Sequence, residues 1–258
     1  MSFLTNEDPI SKFLFLGLVF LGFVVLLNLF MMVLSYFVNT PSPYLVKGMI
    51  PGNIPMVIQQ DPSLSGAIPI ERSDNKDGIE FTWSVWLNIT DLGTKSRQYH
   101  HIFHKGEQTI DTVTGLNFPN NAPGMYIAPN TNELVVIMNT YNVINEEIKI
   151  PNFPMNKWVH VIVRVMNNNA LDVYVNGALA KRHILSSVPR QNYGNVYIAS
   201  NGGFTGNLSN LRYFNYALEP GKILSMTDAG PNLTINSAPL ALNSIPPYLS
   251  VQWYTNNM

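Results

Sequence analysis

The distribution of hydrophobic and polar residues divides the chain into an apolar N-terminal segment and a longer part with short alternating runs. The apolar segment extends from Phe13 to Val38 without a charged side chain. Because a helix rises by about 1.5 Å per residue, this segment is long enough to cross a hydrocarbon layer of about 30 Å. The pattern predicts an N-terminal flank over 1–12 and one transmembrane α-helix over 13–38.

A secretory signal peptide is the alternative interpretation of the apolar segment. Signal peptides usually have an apolar region of about 7–15 residues and a small-x-small cleavage site, which the sequence from Ser35 to Asn39 does not offer. A retained anchor is therefore the preferred interpretation. Asn28 either promotes an oligomer by hydrogen bonding to a second membrane helix or is tolerated as a single amide. The nearest flanking cations, Lys12 and Lys47, leave the membrane orientation undecided.

The segments after the anchor differ in proline content and in periodicity. Residues 39–67 contain prolines at 41, 43, 51, 55 and 62, which prevent a long helix or a central strand and predict an extended connector. From 68 to 230, short apolar runs alternate with turn residues, as in an all-β sandwich. Residues 231–258 are rich in Pro, Asn and Ser and predict an extended C-terminal arm. Strands are predicted over 78–89, 100–104, 124–127, 134–139, 158–166, 171–175, 178–184, 195–200 and 206–216, with a short helix over 219–226.

One predicted hairpin is defined by its alternation and by its turn. Leu171, Val173 and Val175 alternate with polar residues and are followed by Asn176-Gly177. Asn-Gly accepts the positive φ angles of a type I′ turn, which joins two antiparallel strands. The preceding strand, 158–166, has four valines on one face. Together the three strands predict a meander whose apolar face is large enough to start a sandwich.

The composition excludes several classes of function. The formal net charge is −1 and the sequence has no cluster of Lys and Arg, so the basic face that nucleic-acid binding requires is missing. The chain has no cysteine, which excludes disulfides, thiolate zinc sites and a cysteine nucleophile. The domain is therefore expected to depend on its core for stability.

Five sequence blocks carry a resemblance to a known family. The blocks are WVHV from Trp158, LDVYVNG from Leu171, FTWSVWL from Phe81, IFHKG from Ile102, and FTGNL with LRYFNYAL from Phe204. They resemble the core strands of laminin-G-like domains in the concanavalin A-like lectin/glucanase superfamily, over roughly 68 to 226. The resemblance implies a two-sheet antiparallel jelly-roll sandwich, often with a concave ligand face. The chain departs from the family pattern at Ser209, where an acidic residue is usual.

The superfamily includes glycosidases, which need a pair of carboxylates facing one cleft. In the strand region the adjacent acids are Glu146 and Glu147, within the stretch NVINEEIKIPN, which is predicted to be a loop. If that stretch were extended, the two side chains would point to opposite faces. The sequence therefore predicts that the protein is not an enzyme.

Two groups of residues raise the question of a metal ion. Asp74, Asn75 and Asp77 form an oxygen-rich loop that suits Ca²⁺, although an ordinary turn explains these residues equally well. Ca²⁺ is the sole cofactor that the sequence suggests. His100 and His104 would share a face of a strand at a separation of about 13–14 Å, which is too far for both to bind one ion.

Sugar-binding sites commonly combine an exposed aromatic ring with amide hydrogen bonds. Asn192, Tyr193 and Asn201 lie in predicted loops and are the candidates for such a rim. Trp83 and Trp86 are expected to pack in or beside the core instead. Sequons at Asn88, Asn207 and Asn232 would permit N-glycosylation of a lumenal domain.

The preferred function is that of a non-catalytic, membrane-anchored interaction protein. Its extended connector and arm would order themselves on neighbouring proteins, with Trp253 and Tyr254 as docking residues. A single-anchor, cysteine-free, Asn-rich sandwich resembles membrane-linked components of large DNA virus particles, which implies a capsid shell as partner and a location between virion inner membrane and capsid. The alternative is a membrane-tethered lectin-like receptor for a carbohydrate or glycoprotein, and a glycosidase is a remote third.

Overall fold

The computed structural model describes residues 9–38, 42–73, 78–92 and 97–235. The chain divides into one unit up to Thr40 and a second unit from Pro41. The first unit contains the helix α1 (Pro9–Val38), which begins before the predicted residue 13 because Pro is well suited to the first turn of a helix. Over Lys12–Val33 the helix is long and apolar enough to be a membrane span or a signal sequence. The Asn28 amide donates to the Val24 carbonyl at 2.8 Å, within its own helix.

The second unit is a sandwich of two antiparallel sheets, which confirms the predicted fold class. The first sheet has the strand order β1-β12-β3-β8-β9-β10, and the second sheet has the order β2-β11-β4-β5-β6-β7. The strands are β1 (Met49–Pro51), β2 (Met56–Ile58), β3 (Phe81–Asp91), β4 (His100–Gly106), β5 (Gly124–Ile127), β6 (Leu134–Met138), β7 (Glu146–Ile150), β8 (Trp158–Met166), β9 (Ala170–Val175), β10 (Ala178–Ile184), β11 (Asn195–Ile198) and β12 (Thr205–Phe214). The helix α2 (Pro220–Asp228) follows the last strand.

Alternation along β8 places its side chains in two different apolar clusters. Its four valines at 159, 161, 163 and 165 are buried in the core between the sheets. Ile162 points to the other face of the first sheet and packs in a second cluster with Ile223 of α2. The first sheet is therefore covered on both faces, and α2 is held by packing.

The predicted connector supplies one edge strand to each sheet. Strand β1 pairs with β12 at Met49 and Ser209, and β2 pairs with β11 at Val57 and Tyr197. Pro51 is the last residue of β1 and Pro55 directly precedes β2, which suits edge positions because proline cannot donate to a ladder. The sequence indicates that part of the connector, such as 56–58, lies extended against the domain, but it does not predict that the connector forms an edge of both sheets.

The prediction of a loop around Glu146 and Glu147 is wrong, because these residues belong to β7, which pairs with β6. Ile148 and Ile150 are buried while Glu147 and Lys149 are exposed or partly exposed, so the segment has the period of a half-buried strand. As predicted for an extended segment, the two carboxylates have different surroundings. Glu146 binds His183 of β10 at 2.8 Å, and Glu147 binds Lys149 at 3.3 Å.

The predicted hairpin turn is confirmed by positive φ angles of 49° at Asn176 and 79° at Gly177. A Cβ atom on Gly177 would also lie 3.0 Å from the Leu224 side chain of α2. We expect Gly177→Ala to lower the free energy of unfolding by about 1–2 kcal/mol, since a left-handed conformation costs a residue with a Cβ about that much. Urea unfolding followed by tryptophan fluorescence measures the change.

The matched control is Gly221→Ala in α2, where an added Cβ atom meets no atom within 4 Å. Alanine favours a helix over glycine, so this variant should be unchanged or slightly more stable. Equal destabilisation by both substitutions would contradict the assignment of strain to the turn.

Candidate functional site

A cavity of about 320 Å³ lies between the two sheets at one end of the sandwich. Its apolar wall comes from the first sheet, from Phe81, Trp83 and Tyr213. The Trp83 ring stacks on Phe103 with the centroids 5.3 Å apart and meets the edge of Tyr213 at 5.0 Å. Burial raises the pKa of the Tyr213 phenol above its usual range. This wall is an aromatic surface held rigid by packing.

The inner polar group of the cavity is the ammonium of Lys105, near the end of β4. Lys105 is buried, and its Nζ donates to the Gly194 carbonyl at 2.7 Å. Burial lowers the pKa of Lys105 to about 8, because water is removed from the charged form. A side chain at 194 would overlap the backbone of Gly106, so glycine is required for this close approach.

The mouth of the cavity carries an exposed aromatic ring. Tyr193 is 78% exposed, and its hydroxyl accepts a hydrogen bond of 2.7 Å from Arg72 Nη1. The guanidinium carbon of Arg72 lies 5.4 Å from the centre of the same ring. Asn192 donates to the Lys105 carbonyl at 3.1 Å and accepts from the Gly194 N–H at 3.0 Å. The rim loop is therefore fastened to β4.

The structure brings two of the three predicted rim residues to this cavity. Asn192 and Tyr193 precede β11 and line it, whereas Asn201 follows β11 at its other end and binds Gln98 at 3.4 Å. Lys105 and Arg72 were missed. The signal for Lys105 was a charged residue directly after the predicted strand 100–104, two positions beyond the apolar pair Ile102-Phe103.

Several predicted residues do not contribute to the cavity. Asp74, Asn75 and Asp77, the calcium candidates, lie outside the described residues, as do Trp253 and Tyr254. Within the described ranges, the structure contains no group of three His, Asp or Glu side chains placed to hold a metal ion. Trp83 and Trp86 are buried, as predicted.

The prediction that His100 and His104 share a strand face needs correction, because the pair that meets is His101 and His104. A register irregularity between His101 and Phe103 breaks the alternation of β4, so residues three apart come together. His101 Nδ1 accepts from the Ser200 N–H at 3.0 Å, so its Nε2 carries the proton and donates to His104 Nδ1 at 2.6 Å. His104 Nε2 then donates to the Glu107 carbonyl at 3.2 Å.

This chain of hydrogen bonds requires both rings to be neutral. Burial is the main cause that lowers the pKa of His101 well below its usual value and that of His104 to about 4. His160 lies between Ser84 and Thr227, at 2.8 Å from each hydroxyl. Burial lowers its pKa to about 4 as well. This histidine connects the first sheet to α2.

Comparison with known proteins identifies relatives by family and by fold. Residues 63–224 match the laminin G type of the concanavalin A-like lectin/glucanases superfamily. A botulinum neurotoxin receptor binding domain of mosaic serotype C/D is similar at 10% identity and a TM-score of 0.50, over 74% of this chain and 46% of that chain. A botulinum neurotoxin serotype D ligand binding domain, in complex with N-acetylneuraminic acid, is similar at 12% identity with the same TM-score and coverage.

The chain spans less than half of the length of these toxin domains. At such low identity, the likeness shows the sandwich fold. No curated protein matches the chain.

Proposed function

The chain belongs to the concanavalin A-like lectin/glucanases superfamily, and we propose that its sandwich is a non-catalytic carbohydrate-binding module. The observation that carries the proposal is the cavity at the end of the sandwich, with its aromatic wall and the exposed Tyr193 ring at its mouth. Sugars bind through stacking of an apolar face on such rings and through hydrogen bonds to amide and charged groups. The cavity volume of about 320 Å³ suits a small ligand.

Two further findings support the proposal. The toxin domain in complex with N-acetylneuraminic acid shares the sandwich fold, so the fold is compatible with sugar binding. In this chain, α1 meets the length and composition of a membrane span, which would hold the module at a membrane surface. The function that we propose is therefore that of a membrane-tethered receptor for a carbohydrate or a glycoprotein.

We expect Tyr193→Ala to weaken glycan binding about tenfold or more, because the ring forms the mouth of the cavity and positions Arg72. The full chain in detergent is tested on a glycan array, and the affinity for the strongest hit is then measured by calorimetry. Since Tyr193 is exposed, the substitution should leave the unfolding midpoint unchanged.

The matched control is Tyr141→Ala. Tyr141 is 70% exposed, lies in the loop between β6 and β7, and does not line the cavity. The control should bind glycans like the wild type. Binding that is lost in both variants or in neither would move the site away from the cavity, and a full chain that binds no glycan at millimolar concentration would exclude the lectin function.

A second candidate function is docking on neighbouring proteins of an assembly, including a capsid shell. The observation that favours it is a group of exposed apolar side chains in the loop between β6 and β7, formed by Tyr141, Val143 and Ile144, which are 70%, 41% and 49% exposed. Such groups often mark protein interfaces. Crosslinking of the native full chain followed by mass spectrometry tests it, and repeated crosslinks to one abundant protein, absent in a Tyr141→Ser/Ile144→Ser variant, would support docking.

A further inference from the structure

The polar groups of the cavity differ in how much of their hydrogen-bonding capacity is used within the protein. The amides of Gln60, Asn192 and Asn195 are each engaged at both their oxygen and their nitrogen. Gln60 donates to the Ile68 carbonyl at 2.9 Å and accepts from the Ile70 N–H at 3.1 Å. Asn195 accepts from the Gln60 N–H at 3.0 Å and donates to Gln59 at 2.9 Å. These amides shape the cavity, and Asn192 and Asn195 each use one of their two amide N–H groups in these bonds.

Two further groups of the lining, Lys105 and Gln191, have more unused donor capacity than these amides. Lys105 Nζ carries three protons and makes one hydrogen bond, to the Gly194 carbonyl. The Nε2 atom of Gln191 is shielded from solvent and has no hydrogen-bond partner in the part of the chain that the structure describes. A buried donor without a partner is costly, so both groups favour a ligand that brings acceptor atoms.

The charges of the lining are arranged by depth. The exposed rim carries two carboxylates and one guanidinium, from Asp61, Glu71 and Arg72. Each has a partner: Asp61 accepts from the Ser63 N–H at 2.9 Å, Glu71 accepts from Asn215 at 3.4 Å, and Arg72 donates to Tyr193. Lys105, in contrast, is buried and pairs with no carboxylate among the described residues. The interior is therefore cationic and supplies donors.

We propose that this cavity selects an acidic sugar, whose carboxylate accepts hydrogen bonds from Lys105 and Gln191 while its ring lies against the aromatic wall. This inference rests on the proposed carbohydrate-binding function and adds the chemical class of the ligand. A bound carboxylate would replace the hydration that the buried ammonium has lost. Charge-assisted hydrogen bonds are about twice as strong as neutral ones, so the acid group would contribute much of the selectivity.

The test uses glycan pairs that differ only in a terminal glucose or glucuronic acid, with the full chain in detergent. The wild type should bind the acidic member at least about tenfold more tightly. Lys105→Met should lose this preference and keep the affinity for the neutral member. Lys181→Met, which removes an exposed lysine of β10 outside the cavity, should keep the preference. Equal binding of both members by the wild type, or an unchanged preference in Lys105→Met, would overturn the proposal.

Two additional measurements keep the test informative if Lys105→Met does not fold or if no glycan binds. Gln191→Met removes the second donor and keeps a side chain of similar size. It should reduce the preference for the acidic member at least about threefold, and an unchanged preference would contradict the role assigned to Gln191 in binding the carboxylate.

Titration of ¹³C-lysine-labelled wild type with methyl glucuronide or with acetate should shift the Cε signal of one buried lysine saturably, and methyl glucoside should not. A shift with acetate alone would retain the anion site and reject the sugar function, and no shift with either acid would reject the anion site.

Discussion

Lowering the pH from about 6.5 to about 4 is expected to destabilise the sandwich by several kcal/mol, because three buried histidines must remain neutral for it to fold. The pKa of His104 and of His160 falls from 6.5 to about 4 on burial, and that of His101 falls well below 6.5. Below pH 6.5 the unfolded chain therefore binds protons at these histidines, whereas the folded chain does not. The contribution of these histidines to the free energy of unfolding is fully present above that pH and is lost as the pH falls. The loss is about 3 kcal/mol each for His104 and His160.

Urea unfolding at several pH values between 7 and 4, followed by tryptophan fluorescence, measures this loss. His104→Gln should reduce the slope of stability against pH, because one histidine no longer titrates in the unfolded state. Asn142→Ala is the control, since Asn142 is exposed in the loop between β6 and β7 and carries no titratable group, so the slope should stay that of the wild type. Stability that is constant between pH 6.5 and 4.5 would show that the buried rings accept protons without cost.

Replacing Asp172 by Ala is expected to lower the free energy of unfolding by about 3–5 kcal/mol, since it leaves a buried guanidinium without its counter-charge. Asp172 is fully buried on β9 and lies 2.6 Å from Arg164 Nη2 and 2.6 Å from Arg182 Nε. Burial alone would raise the pKa of Asp172, but hydrogen bonds from Arg182 and Arg164 outweigh this effect and lower it. Arg164 also donates to the Leu218 carbonyl at 2.7 Å, which fixes the segment before α2.

Two comparison variants separate loss of the ion pair from loss of packing. Glu147→Ala removes a partner of the exposed Lys149 and should change the stability by less than about 1 kcal/mol. Arg164→Met combined with Asp172→Leu replaces the buried charges by apolar side chains and should recover most of the stability. If Asp172→Ala unfolds at the same urea concentration as the wild type, the buried pair contributes nothing to stability.

The main strands and the long helix follow from local patterns in the sequence. The alternation of β8, β9 and β10 and the Asn176-Gly177 turn depend on the chemistry of neighbouring residues, and the structure has all of them within one residue of the predicted bounds. The uninterrupted apolar run likewise predicts α1, apart from its first turn. For these elements, the local preference and the tertiary fold agree, which is the condition under which sequence patterns predict structure.

The cavity, in contrast, could be predicted only in part. Asn192 and Tyr193 are typical loop residues that stood out in the sequence, but their significance depends on Lys105 and on the aromatic wall, which belong to distant strands. Which loop residues join such a site depends on strand order and on long-range pairing. The same reason explains why Asn201, just a few residues further along the chain, lies at the opposite end of β11.

The misread elements also depend on contacts between distant segments. Strands β1 and β2 are each three residues long and form because β12 and β11 offer free edges to pair with. His101 meets His104 because pairing with β5 introduces an irregularity into β4, which no pattern within β4 reveals. Local residue chemistry thus accounts for the type and position of most elements, whereas partners, register and the cavity arise from the packing of segments that are far apart in the chain.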